Sequence, residues 1–175
     1  MLLLIDFSKA FDMIEHQVLL RKLENYGVRG IALDWFKSYL SGRRQYVSVN
    51  GANSSVKPIK YGVPQGSILG PLLFVIYIND LPNISNLAKF ILYADDANIL
   101  LTGKDTEEIL EKFDSIANSI LKWVNSNGLA LNLKKTKYMI FSRQQVCINR
   151  EIKIGGVKID REKDARFLGV IVDTR

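Results

Sequence analysis

Two apolar runs, Phe90–Tyr93 and Ile99–Thr102, bracket the segment Ala94-Asp95-Asp96-Ala97-Asn98. Short apolar runs around a turn-forming stretch read as two antiparallel strands, which places two carboxylates at the tight turn of a stiff hairpin. A third acid, Asp6, directly follows another apolar run, Met1–Ile5, whose residues Leu2–Ile5 read as a buried strand. These acids can meet only if the strands are neighbours, and such crowding is costly unless a cation neutralises it. Mg²⁺ takes one or two protein carboxylates together with phosphates and water, so acids at strand ends suit it better than a dense cage would.

The remaining elements follow from periodicity and stop signals. Val18, Leu19, Leu20 and Leu23 recur at helical spacing from Glu15 to Gly27, and a second helix fits Ile31–Leu40 before Gly42. The alternating segments Gln45–Val49 and Val56–Tyr61 flank turn-rich residues 50–55, as in a hairpin or its longer variant. Ser67–Leu81 is apolar nearly all round, which predicts a helix buried beneath a sheet with Pro71 in its first turn. A long amphipathic helix is predicted from Thr106 to Asn127, with Gly128 as its stop and Trp123 in the core. Tyr138–Phe141, Val146–Ile148, Ile152–Ile154 and Phe167–Val172 are predicted strands, with Gly155-Gly156 turning between two of them. The sum is an α+β fold, an antiparallel sheet with helices packed on one face, in a single domain spanning residues 1–175.

Charge and cysteine usage narrow the class. Twenty-four Lys and Arg against 18 Asp and Glu give a net charge of +6, which suits a polyanionic partner. Cys147 has no possible intrachain partner, so a disulfide framework is excluded; it reads as a small buried residue in a reducing compartment. No apolar run approaches spanning length, so a soluble protein without a membrane partner is expected. His16 reads as a local packing or hydrogen-bonding residue near a helix start.

One loop stands out. Tyr61-Gly62-Val63-Pro64-Gln65-Gly66-Ser67 precedes the buried helix, and its glycines permit close backbone approach where a helix start favours anions. A nucleotide could lie there; taken alone, the loop is better read as a strand-to-helix connection capped by Ser67. Arg43 and Arg44 match phosphate geometry and are candidates for phosphate contacts, the alternative being an exposed strand-edge pair.

Together these segments resemble the reverse transcriptases, and among them the RNA-directed DNA polymerases of non-LTR (LINE-type) retrotransposons. Asp6-Phe7-Ser8-Lys9-Ala10-Phe11-Asp12 resembles the first catalytic motif, Gly62 to Phe74 the second, and Tyr93-Ala94-Asp95-Asp96 the third. Gly128 with Asn132, Lys135 and Thr136 resembles the fourth, and Phe167-Leu168-Gly169 the primer grip. Segments 38–45 and 78–81 also match the non-LTR pattern.

The resemblance implies a polymerase palm that transfers deoxynucleotides to a primer 3′-hydroxyl with two Mg²⁺ ions, Mn²⁺ being the alternative ion. Asp6 and Asp95 are then the main metal ligands, Asp96 supports the site, and the Phe7 carbonyl adds a backbone ligand. Phe11 becomes the sugar gate that rejects ribose, with Pro64, Gln65 and Gly66 at the nucleotide. Lys135 protonates the departing pyrophosphate, with Lys134 and Lys137 close by, and Asp12 is structural. The implied partners are an RNA template, a DNA primer, deoxynucleoside triphosphates, and the fingers, thumb and endonuclease of a longer element protein. Fingers and thumb are expected to be essentially missing from these 175 residues. An intracellular location, nuclear or cytoplasmic, is expected, and secretion is not. The rival expectation is a catalytically silent nucleic-acid-binding remnant of the same fold.

Overall fold

A computed structural model describes residues 1–142, 146, 148–167 and 169–174. In chain order the elements are β1 (Leu2–Asp6), α1 (His16–Asn25), α2 (Ile31–Leu40), β2 (Arg44–Gln45), β3 (Ser48–Val49), β4 (Ala52–Asn53), β5 (Lys57–Pro58) and α3 (Leu69–Ile78). A 3₁₀ turn (Leu81–Ile84) then leads to β6 (Lys89–Tyr93), β7 (Asp96–Leu100) and α4 (Thr106–Ser126). The chain ends with β8 (Lys137–Met139), β9 (Lys153–Ile154), β10 (Val157–Lys158), β11 (Asp160–Arg161), β12 (Asp164–Phe167) and β13 (Val170–Asp173). Two units are distinguishable: a sheet unit of residues 1–8 and 79–175, and a helical unit of residues 9–78.

In the sheet unit the first apolar run becomes the central strand of a five-stranded sheet ordered β11-β8-β1-β7-β6. Its register against β7 pairs Leu3 with Ile99, Ile5 with Ala97, Leu4 with Asn98 and Asp6 with Asp96. Because side chains alternate along a strand, this register sorts the residues onto two faces. Leu3, Ile5, Ala97 and Ile99 are buried on one, and Phe7, next in the same alternation, meets Trp123 of α4 at 6.4 Å between ring centroids. The other face carries Leu4, Asn98 and the two aspartates. A slip of one residue would put the aspartates in the core, so apolar burial fixes where the acids point.

Helix α4 is specified by its ends and its stripe. The Asp105 carboxylate accepts from the Glu108 N–H at 2.8 Å, and Glu108 returns by accepting from the Lys104 N–H. These bonds satisfy donors that the first turn leaves without partners. Phe113, Ile116, Ala117, Ile120, Trp123 and Val124 are its buried residues, and the Trp123 indole N–H donates to Asp80 at 3.2 Å.

The sheet departs from expectation in two places. Its edge pair β11–β8 is parallel, so the sheet is mixed rather than wholly antiparallel. The run Phe167–Val172 is not one strand: β12 and β13 form an antiparallel hairpin with Phe167 opposite Val170. Gly169 has φ +85°, so the chain reverses at a conformation glycine adopts readily. The expected β9–β10 turn at Gly155-Gly156 is present. Cys147, Leu168 and part of the expected strand Val146–Ile148 lie outside the described residues.

In the helical unit α1 and α2 form as expected, with a two-stage hairpin between α2 and α3. Its base pairs Arg44 with Pro58 and Gln45 with Lys57, and its tip pairs Ser48 with Asn53. Helix α3 is shorter than the Ser67–Leu81 expected, and it is not buried all round. Leu73, Phe74, Tyr77 and Ile78 are buried, whereas Leu72 and Val75 are exposed. No helix among the described residues is long and apolar enough to cross a membrane.

Candidate active site

The β6–β7 hairpin closes tightly, with Tyr93 opposite Asp96 and only Ala94 and Asp95 between them. Ala94 has φ +50°, a left-handed conformation that costs a residue with a side chain. Strain of this kind is retained where the surrounding structure fixes it, here at the turn that sets Asp95 beside Asp96.

Asp96 begins β7 directly opposite Asp6, the last residue of β1. Both carboxylates line a cavity of about 130 Å³ shared with Leu4, Asn98, Lys135, Arg166 and Phe167. Partial burial, then the negative charges of Asp95 and Asp6, raises the Asp96 carboxyl above its ordinary value. The geometry thus couples Asp96, more directly than Asp95, to Asp6.

A turn holds the cation that faces these acids. The Asn132 N–H donates to the Asp6 carbonyl at 2.8 Å, and the Asp6 N–H donates to the buried Thr136 hydroxyl at 3.4 Å. Lys135 N–H and Thr136 N–H both donate back to the Asn132 carbonyl, closing the turn between them. The segment around Lys135 is therefore tied to the backbone of Asp6 on both sides. Lys137 is engaged elsewhere, with Asp160 at 3.0 Å and Glu162 at 3.5 Å, and of the three neighbouring lysines only Lys135 lines the cavity.

The donor set fits a hard, oxygen-preferring divalent ion, because two facing carboxylates with neighbouring Asp95 are electrostatically disfavoured without positive charge. Phe7 contributes a backbone position one residue on, where it bridges Leu131. Among the described residues, no three Asp, Glu, His or Cys side chains gather closely enough to enclose an ion on their own. Substrate oxygens would have to complete the coordination, as Mg²⁺ sites on phosphates commonly require.

The other expected site residues belong to the helical unit. Phe11 packs on Phe74 at 4.8 Å between ring centroids. Gln65 donates to the Asp12 carboxylate at 2.9 Å. Ser67 caps as foreseen: its hydroxyl accepts from the Gly70 N–H and donates to the Pro64 carbonyl. Gly62 has φ +84°, and a Cβ there would stand 2.9 Å from the Asp12 backbone, so the close approach is real. The Gly62 carbonyl also contacts His16 Nε2 at 2.7 Å, the local role expected of that histidine.

Pro64 and Gln65 line a cavity of about 620 Å³ with Lys9, Arg43, Gln45 and Tyr61. Gly66, at φ +80°, and Arg44, on exposed β2, do not line it. Of the primer-grip candidates, Phe167 lines the acid cavity and Gly169 turns the β12–β13 hairpin, while Leu168 lies outside the described residues.

Sequence reasoning missed Arg166 and Asn98. Arg166 neighbours a recognised motif but reads as one more surface cation until β12 aims it at the cavity. Asn98 was absorbed into the turn, yet it lies within β7 and is buried two residues beyond Asp96 on the same face. Period-two alternation counted forward from Asp96 would have found it.

Residues 1–172 match the family model described as reverse transcriptase (RNA-dependent DNA polymerase). The chain is 31% identical, over 98% of its length, to the probable RNA-directed DNA polymerase from transposon BS of Drosophila melanogaster. It is 28% identical, again over 98% of its length, to the RNA-directed DNA polymerase from mobile element jockey of the same species. It spans about a fifth of each relative, 20% and 19% respectively. A solved structure of apo telomerase from Candida tropicalis, truncated from its C-terminal domain, matches with a TM-score of 0.63, covering 99% of this chain and 34% of that one. At 16% identity that likeness concerns the fold alone. By its matched length and its non-LTR retrotransposon relatives, this chain belongs to the reverse transcriptase family.

Proposed function

We propose that residues 1–175 are the palm of an RNA-directed DNA polymerase, part of a longer element protein, extending a DNA primer on an RNA template. The observation that carries this reading is the register that sets Asp6 opposite Asp96 in one small cavity with Lys135. Two divalent ions bound there supply the positive charge that stabilises the attacking and leaving oxygens of phosphoryl transfer.

The chain's own residues do the rest. Asp6, Asp95, Asp96 and the Phe7 carbonyl hold the ions, Mg²⁺ or Mn²⁺. Lys135, tethered through its turn to Asp6, holds a proton at Nζ for the departing pyrophosphate. Phe11 excludes ribose, while Pro64, Gln65 and Gly66 contact the deoxynucleoside triphosphate. Phe167, Leu168 and Gly169 grip the primer, and Arg43 and Arg44 meet template phosphates. Support for these roles is the order of the motifs, the shared cavity of Pro64, Gln65 and Arg43, and the place of Phe167 beside the acids.

A second reading, the silent nucleic-acid-binding remnant, draws on the excess of nine Lys and Arg over four Asp and Glu in residues 9–78, which needs no working metal site. Primer extension on poly(rA)/oligo(dT) with Mg²⁺ and dTTP decides. Extension by the chain that is lost on replacing Asp95 and Asp96 with Asn supports the polymerase reading. Equal product from the variant, or none from either this chain or a version carrying flanking element-protein sequence, supports the remnant.

A further inference from the structure

Helix α2 leaves an aromatic stripe in solvent that the core does not use. Its buried residues are Leu33 and Leu40, whereas Ile31 is 90% and Trp35 52% exposed. Trp35 and Tyr39, one helical turn apart, are stacked at 5.5 Å with an interplanar angle of 10°. The Arg43 guanidinium stands over the Tyr39 ring at 5.6 Å, extending the stack past the end of the helix. Arg43 also lines the cavity that holds Lys9, Tyr61 and Gln65, so the stripe ends at that cavity.

Charge around the stripe is one-sided. Between residues 25 and 78 the sequence has Arg29, Lys37, Arg43, Arg44, Lys57 and Lys60, and Asp34 is its only acid. That acid is already met by Lys37 at 2.9 Å. A basic surface with open, parallel aromatic faces is the arrangement that holds unpaired nucleic acid: cations track the backbone, and each base offers a π-face to a ring.

We propose that Trp35, Tyr39 and Arg43 form a stacking track for an unpaired stretch of RNA or DNA, which adds its bases to the exposed Trp35 end. The track deepens the reading of Arg43 as a nucleic-acid residue, but it depends on neither the metal site nor polymerisation. Base stacking is indifferent to the sugar, so U and dT strands bind alike. In a duplex both faces of each base are already covered, so the track passes duplexes over.

Trp35 supplies its own reporter, since the chain's only other tryptophan, Trp123, is buried. Short oligo(U) and oligo(dT) are titrated without divalent ions while tryptophan fluorescence is followed, with an abasic oligomer of equal charge alongside. Expected are quenching by both base-bearing strands and affinity about tenfold weaker for the abasic strand, from lost base–aromatic stacking. Trp35→Leu, which removes the reporter and is therefore compared with the parent by fluorescence anisotropy of a dye-labelled oligo(U), and is checked for folding by circular dichroism, should lose the same factor, and Arg43→Gln should also flatten the salt dependence. Equal affinity for abasic and base-bearing strands would overturn the track, as would an indifferent Trp35→Leu, stronger quenching by a duplex, or no binding at all. Repeating the titration with Asp6 and Asp96 both replaced by Asn separates the two readings: quenching persists there even if primer extension fails.

Discussion

The sheet unit and the helical unit distribute charge in opposite ways. Residues 1–8 and 79–175 contain 15 Lys and Arg against 14 Asp and Glu, whereas residues 9–78 contain nine against four. Near-neutral overall, the sheet unit brings Asp6 and Asp96 together in one small cavity and lines it also with Lys135 and Arg166. Most of the chain's net positive charge, and the open Trp35–Tyr39 stack, belong to the helical unit. The contrast separates two tasks: precise placement of a few carboxylates needs strand register, while holding a polyanion needs spread charge and accessible faces.

Core truncation gives the largest expected effect. Phe113 is fully buried on α4, so Phe113→Ala should cost about 3–5 kcal/mol, read from the urea midpoint. Ile31→Ser, on the open face of the helical unit, should change stability by under about 0.5 kcal/mol. Comparable losses at the two positions would break the distinction between packed sheet and open stripe.

Gly62→Ala comes next. Its left-handed φ and the 2.9 Å approach to Asp12 should together cost about 1–3 kcal/mol by thermal melting. Gly66, also at positive φ but with open space around its Cβ position, should be the milder substitution, which sharpens where the loop is tightly packed.

The smallest effect belongs to the start of α4. Hydrogen bonds from Lys112 and from the Lys104 N–H hold the Glu108 carboxyl below its ordinary value. A carboxyl lowered in the folded state contributes stability above its unfolded pKa and loses it as pH falls through the folded one. Glu108→Gln should therefore melt slightly below the parent at neutral pH, with the gap closing on acidification beneath the carboxylate range.

Much of the site was legible because its signals are local. The apolar runs around Asp95 and Asp96 fix a hairpin, and the expected bounds of α2, Ile31–Leu40, match the structure. What escaped depends on distant partners. Nothing near Asp160 announces that β11 will lie parallel to β8. The apolar run after Phe167 hid a reversal at Gly169, because hydrophobicity alone does not separate one strand from two. An all-apolar α3 suggested complete burial, yet Leu72 and Val75 face outward, since composition cannot say which face finds a neighbour. Trp35 was passed over for the same reason: an aromatic in a helix reads as core until its exposure is known.

The central claim is that Asp6 and Asp96 form a cation site through strand register. Calorimetric titration of Mg²⁺ into the chain, beside a variant with both residues replaced by Asn, tests it most directly. The account predicts saturable binding by the parent and none by the variant, which should melt no lower than the parent without the ion because carboxylate repulsion is gone. Identical isotherms from the two proteins would contradict it.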